Sequence, residues 1–201
     1  MELLGIFPKP VGISVLGREL STEELLCIQD YYSNKIKYPT NHGTDDQNVL
    51  DNNVLLELKK DITNQLQILF KETYAPLNDT SIYITLSWFN WTEQNEQHHV
   101  HTHQNSFLSG VYYVETCDQD TISFYTDDRQ CDFDIGIKQN NPFNSQRYTI
   151  PAKKGSIIFF PSKLAHGVDV KQHGGTRCSL AFNTWLSGTI GSHYGGNTLH
   201  L

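Results

Sequence analysis

His98-His99-Val100-His101-Thr102-His103-Gln104-Asn105-Ser106-Phe107-Leu108-Ser109-Gly110-Val111-Tyr112-Tyr113-Val114 is the stretch on which the reading of this chain turns. In an extended strand, residues two apart point to the same side. A His-x-His pair on a strand therefore aims two imidazoles at one point. The segment that follows, Phe107–Val114, is rich in aromatic and β-branched residues and reads as a strand. Further along stand an isolated His166 and then Arg177-Cys178-Ser179. A third imidazole from a neighbouring strand can complete one face of a metal ion, and an Arg and a Ser two apart on a later strand could hold a carboxylate beside it.

Outward from this centre the texture stays β-like. Ser81–Trp91, Thr121–Thr126, Arg147–Ile150, Ser156–Phe160, His166–Val170 and Arg177–Leu186 are short apolar runs separated by turn signals. With one or two strands from Leu3–Phe7 and Val11–Leu16, about eight are expected, the count of a jelly roll. Ahead of them, Ser21-Thr22-Glu23-Glu24 is a capping-box pattern, opening a helix predicted to run to about Lys37. A second helix is predicted from about Asn52 to Tyr74, because Val54, Leu55, Leu58, Ile62, Leu66, Leu69 and Phe70 recur at three- and four-residue steps. Pro76 ends it. The expected fold is mostly β with supporting helices, a double-stranded β-helix (jelly roll) with two N-terminal helices packed on one sheet. It forms a single domain over 1–201: strands and helices in 1–80, the jelly-roll core in 81–186, and a tail in 187–201 without clear period. The polar stretch Asp127–Gln146 reads as a long loop of functional character.

Composition excludes several classes. At 201 residues, 38% hydrophobic and 11% aromatic, the chain can bury a core without staples. The net charge is -7, and the longest basic run is Lys153-Lys154, so no electrostatic footprint for nucleic acid exists. Cys27, Cys117, Cys131 and Cys178 form no C-x-x-C pair, and a bridge between Cys117 and Cys131 is neither demanded nor forbidden. Met1–Gly5 lacks the basic and apolar regions of a signal peptide, and no apolar run approaches the roughly 20 residues of a membrane span. The expectation is a reduced, soluble, cytoplasmic protein with no membrane or obligatory nucleic-acid partner. Its oligomeric state is not legible.

Three neutral imidazoles from His101, His103 and His166 suit a divalent first-row metal, with iron, zinc and copper all compatible. Positions opposite the ligands stay open, which points to catalysis. His99 and His101 are also two apart, so the register admits a second choice; His101 belongs to both. Arg177 and Ser179 share strand parity with Ala181 and Asn183, while Cys178, Leu180 and Phe182 face the other side, where helices can cover them. An inward Arg can bind a carboxylate bidentately, with the Ser hydroxyl adding a donor.

The run from His101 to Val114 resembles the metal strand of the Fe(II)/2-oxoglutarate oxygenases, a family similar to prolyl hydroxylases in its barrel. Gly155–Pro161 with His166-Gly167-Val168 is similar to the family's second metal strand, and Arg177–Asn183 to the strand that anchors the co-substrate. Ser87–Trp91 is similar to the strand before the metal pair. The resemblance implies Fe(II) on His101, His103 and His166. It implies the far carboxylate of 2-oxoglutarate on Arg177 and Ser179, with Tyr113 on the same carboxylate. Asn90 and Asn183 are inward-facing candidates for co-substrate or substrate contacts. The activity implied is dioxygenation, hydroxylating a C–H bond with release of succinate and CO2. O2 is the partner, together with a substrate that is a protein side chain, a nucleotide or a small metabolite.

One departure stands out. The usual pattern is His-x-Asp/Glu with a distal His, and here His103 holds the acidic position. Three neutral ligands leave the site one unit more positive, and a dianionic co-substrate offsets part of that charge. Two rival readings remain: a cupin-type three-His enzyme without 2-oxoglutarate, and a non-catalytic jelly-roll module. Gly155, Pro161 and His166 fit the second cupin motif, but no Glu follows His103 at the expected interval and Lys163 replaces a cupin Gly.

Overall fold

The structure is a computed structural model that describes residues 1–126 and 135–201. Its elements are β1 (Gly12–Val15), α1 (Thr22–Ser33), β2 (Ile36–Lys37), β3 (His42–Gly43), α2 (Leu56–Tyr74), β4 (Ser81–Thr92), β5 (His98–His101), β6 (Leu108–Glu115), β7 (Thr121–Tyr125), β8 (Arg147–Pro151), β9 (Ser156–Pro161), β10 (Ala165–Val168), β11 (Arg177–Ser187), β12 (Thr189–Ile190) and β13 (Leu199–His200). Two short 3-10 turns, Val49–Asp51 and Asn53–Leu55, lead into α2.

Two antiparallel sheets face each other. One runs β1-β9-β6-β11-β4-β3-β2, the other β5-β10-β7-β8. Strands adjacent in sequence alternate between the sheets from β4 to β7, which is the winding of a double-stranded β-helix, so the expected jelly roll is the fold observed. Both helices cover the outer face of the large sheet. Leu58, Ile62, Leu66 and Phe70 of α2 and Ile28 of α1 share one core with Phe89, Tyr112, Ile157, Cys178, Leu180 and Phe182. A smaller core of Tyr113, Ile122, Phe124, Ile150, Ile158 and Phe160 lies between the sheets. No helix among the described residues is long and apolar enough to cross a membrane.

The capping box at Ser21 and Glu24 is made in both directions. The helix it opens ends at Ser33, short of Lys37. Asn34 turns its side-chain amide onto the Asp30 carbonyl, and Ile36–Lys37 pair instead with His42–Gly43. The second helix closes on Ala75 in a left-handed conformation just before Pro76. Leu3–Phe7 forms no strand: Pro8 and Pro10 remove two ladder donors, and Phe7 has φ 60. The tail is more ordered than its lack of period suggests, because Thr189–Ile190 and Leu199–His200 form a small hairpin sheet. Residues 127–134 of the long loop, and with them Cys131, lie outside the described residues.

Candidate metal centre and co-substrate cleft

The histidine run is only half a strand. β5 stops at His101, and His103 sits beyond it, anchored by its backbone N–H on the Ser162 carbonyl at 2.9 Å. Pairing across the small sheet sets His166 of β10 opposite His101 of β5. The turn at His103, and not strand alternation, brings the third imidazole in. The ligand-capable nitrogens of His101, His103 and His166 then lie within 4.8 Å of one another.

Backbone carbonyls choose which nitrogen faces the centre. His101 Nδ1–H donates to the His99 carbonyl at 2.8 Å, and His166 Nδ1–H to the Leu164 carbonyl at 2.9 Å. Each bond leaves the Nε2 lone pair free for a ligand, the usual outer-shell arrangement of a metal-bound imidazole. His103 Nε2 stands 3.2 Å from His166 Nε2. Two nitrogens bound to one ion at about 2.1 Å and at right angles stand roughly 3.0 Å apart, so the donor set fits a first-row metal. Burial pushes all three below the ordinary imidazole value, His103 to about 4 and His166 to about 3. They are neutral at neutral pH, with no proton to displace.

The histidines line a narrow cleft of about 40 Å³ between the two sheets. Its floor is β11. Arg177, Ser179 and Ala181 face inward while Cys178, Leu180 and Phe182 pack into the helix-covered core, as strand parity requires. Arg177 is 3% exposed and donates to the Thr121 carbonyl at 3.2 Å and to Thr92 Oγ1 at 3.4 Å. Its Nε is buried with no hydrogen-bond partner, and among the described residues no carboxylate pairs with it. Tyr113 lies beside Ser179 on β6, and burial raises its phenol to about 12, so it stays a neutral hydroxyl.

Asn90 also lines the cleft, where its Oδ1 accepts from Asn41 Nδ2 at 3.3 Å. Asn183 does not reach it. It is buried at the rim, and its Oδ1 accepts from Ser109 Oγ at 2.8 Å. Two further residues belong to the cleft. Trp88 sets its ring 5.8 Å from that of His103. His98 stacks on His101 at 4.7 Å, and burial, with the nearby cations, pushes it to about 3. Position in the run gives no sign of this, because a register shift between β5 and β10 turns His98 inward.

Residues 86–183 match the model of the family described as "Putative 2OG-Fe(II) oxygenase". The match spans just under half of the chain and falls on the jelly-roll core. Solved structures similar to this chain include an oxidoreductase of the 2OG-Fe(II) oxygenase family from Burkholderia pseudomallei, at 12% identity and TM-score 0.57, covering 86% of this chain and 84% of that one. HygX from Streptomyces hygroscopicus, solved with nickel, 2-oxoglutarate and hygromycin B, is 9% identical at TM-score 0.58, covering 88% of this chain and 82% of that one. A prolyl-4-hydroxylase from Pseudomonas putida is 12% identical at TM-score 0.55, covering 87% and 92%. At such identities the likeness speaks for the shared fold. No curated protein matches the chain by sequence.

Proposed function

We propose that the protein is an Fe(II)- and 2-oxoglutarate-dependent dioxygenase that hydroxylates a substrate C–H bond and releases succinate and CO2. The observation that carries this reading is Arg177, a buried cation facing the histidine cleft with an unpartnered Nε and no carboxylate from the described residues. A buried charge without a partner costs several kcal/mol. A bound carboxylate at the deep end of the cleft supplies that partner, and neither rival reading has a use for one there.

His101, His103 and His166 would hold the iron. Arg177, Ser179 and Tyr113 would hold the far carboxylate of 2-oxoglutarate, with Asn90 beside them. When bound, the iron supplies the oxidising chemistry that no side chain can. The chain's own share is orientation and charge. The cleft lining carries four imidazoles, His98 with the three ligand candidates, plus Arg177 and no acid among the described residues, so a dianion balances a surplus of positive charge one unit larger than in a two-His, one-carboxylate site. Val111, Ile122 and Ala181 make its apolar walls and exclude water around the clamp. The structure of HygX with nickel and 2-oxoglutarate bound supports the same pairing of metal and co-substrate here.

The test is spectroscopic. Fe(II) followed by 2-oxoglutarate, added without oxygen, is expected to give a weak visible charge-transfer band, and Arg177→Ala is expected to lose it at the same co-substrate concentration. Metal binding with no band in the wild type would sink the reading in favour of an enzyme that does not use 2-oxoglutarate.

A further inference from the structure

The large sheet does not end at the metal. β4 and β11 continue past it as a ribbon, and their pairing gives a ladder of depth: Thr92 with Arg177, Asn90 with Ser179, Trp88 with Ala181, Leu86 with Asn183, Tyr83 with Trp185. Directly paired residues lie on one face of a sheet. The first three rungs line the cleft, so the last two lie on the same inner face, past Trp88, whose ring packs against His103. A bulge at Thr85 keeps that face continuous, because β4 advances two residues there while β11 advances one. Ile82, Ile84 and Leu186 accordingly go to the helix-covered core on the other side.

This inner face is apolar and open. Tyr83 is 45% exposed, Leu86 39% and Trp185 41%, while Trp88 is half-buried against His103. The rung beyond is capped by Ser81 and Ser187, which bond to each other through their hydroxyls at 2.7 Å. From Ala181 to Trp185 the surface runs about 13 Å, at roughly 3.3 Å per residue. Large apolar side chains left in water on a face continuous with a catalytic cleft mark a binding surface.

Resting on the oxygenase reading of the metal centre, we propose that Tyr83, Leu86, Trp88 and Trp185 form the substrate platform, and that its substrate is an uncharged small molecule presenting a flat ring system. Flat apolar faces stack on indole and phenol rings at little entropic cost. The cleft offers no charge besides Arg177 among the described residues, and the co-substrate uses that one. A phosphate-bearing nucleotide or a charged side chain would arrive without a countercharge. Of the three substrate classes left open by the sequence, the small metabolite is the one this surface fits.

The experiment uses N-phenyl-1-naphthylamine, an uncharged aromatic dye, titrated onto the metal-free protein with fluorescence as the readout. Saturable binding is expected, weakened about tenfold or more in the Tyr83→Ala/Trp185→Ala double variant, since each aromatic contact contributes about 0.5–1.5 kcal/mol and 1.4 kcal/mol is tenfold. Trp185→Phe should keep most of the affinity, and Arg177→Ala all of it. The single variant Trp185→Gln, at an exposed position, serves if the double variant does not fold. No saturable binding, affinity unchanged in the variants, or displacement of the dye by AMP at lower concentration than by uncharged ring compounds would each overturn the proposal. The two readings fail separately. Loss of the iron–2-oxoglutarate band with dye binding intact removes the oxygenase, whereas the band without dye binding removes the platform.

Discussion

Arg177 is folded into the interior beside neutral donors, and its stability signature should differ from that of a structural arginine. When one partner of a buried ion pair is removed, the remaining charge is stranded and the fold loses about 3–5 kcal/mol. Here the described residues supply no carboxylate to strand. Replacing the guanidinium with an apolar chain of similar length removes a desolvated charge at the cost of two hydrogen bonds, to Thr121 and Thr92. Replacing a whole buried ion pair by apolar residues is often neutral or stabilising by about 1–4 kcal/mol, and here, as there, no charge is left stranded. Arg177→Met in the metal-free protein is therefore expected to keep or raise the urea midpoint while losing affinity for 2-oxoglutarate. A fall of about 3 kcal/mol in unfolding free energy would mean the arginine is a structural member of an ion pair. Function and stability pull apart at this residue, as they do where a site is built for a ligand the empty fold lacks.

At the level of elements, Gly110 in the middle of β6 faces Phe182 on β11, its direct partner in the ladder. A Cβ there would meet Phe182 Cζ at 2.2 Å and Cε2 at 2.6 Å, and that ring is fully buried. Gly110→Ala is expected to cost about 1–3 kcal/mol by overpacking. Gly110→Ala with Phe182→Leu should recover part of it, read by chemical unfolding. A single variant as stable as the wild type would show that the helix-covered core has room to yield. A glycine inside a strand already suggests a close approach, but only the ladder says to what. The same division runs through the whole sheet. Strand positions and the helix faces were readable because burial imposes periods of two and 3.6 residues. The partners of those strands, the bulge at Thr85 and the inward turn of His98 depend on register across distant segments, and no local pattern encodes them. The early end of α1 was missed for a related reason: Ile36 and Lys37 continue the apolar texture of the helix but are drawn into pairing with His42 and Gly43.

For the whole molecule, gathering imidazoles in one dry cleft makes the metal-free fold sensitive to acid in a window that can be calculated. Burial holds His98 and His166 near 3 and His103 near 4, against an ordinary value of about 6.5. Well above pH 6.5 neither the native nor the unfolded chain protonates them, and they contribute nothing to the pH dependence. As pH falls below about 6.5 the unfolded chain takes up protons that the native cleft refuses, so stability declines by up to about 1.4 kcal/mol per pH unit for each such histidine. The decline continues until pH reaches the depressed native values, near 4 and below. Carboxylates held low by partners, such as Glu24 beside Arg18, lose their contribution only as pH drops through the carboxylate range, so the interval from about 6.5 to about 5 isolates the histidines. A divalent metal at a hundred times its dissociation constant adds about 2.7 kcal/mol at neutral pH, and this gain shrinks as protons compete for the same nitrogens. Urea midpoints of the metal-free protein should therefore fall steadily from about pH 6.5 to about 5, with a shallower fall in His98→Asn by roughly one histidine's share. A flat profile over that interval would mean that water reaches the imidazoles freely, and the cleft would then lack the dryness on which both the clamp and the metal centre depend.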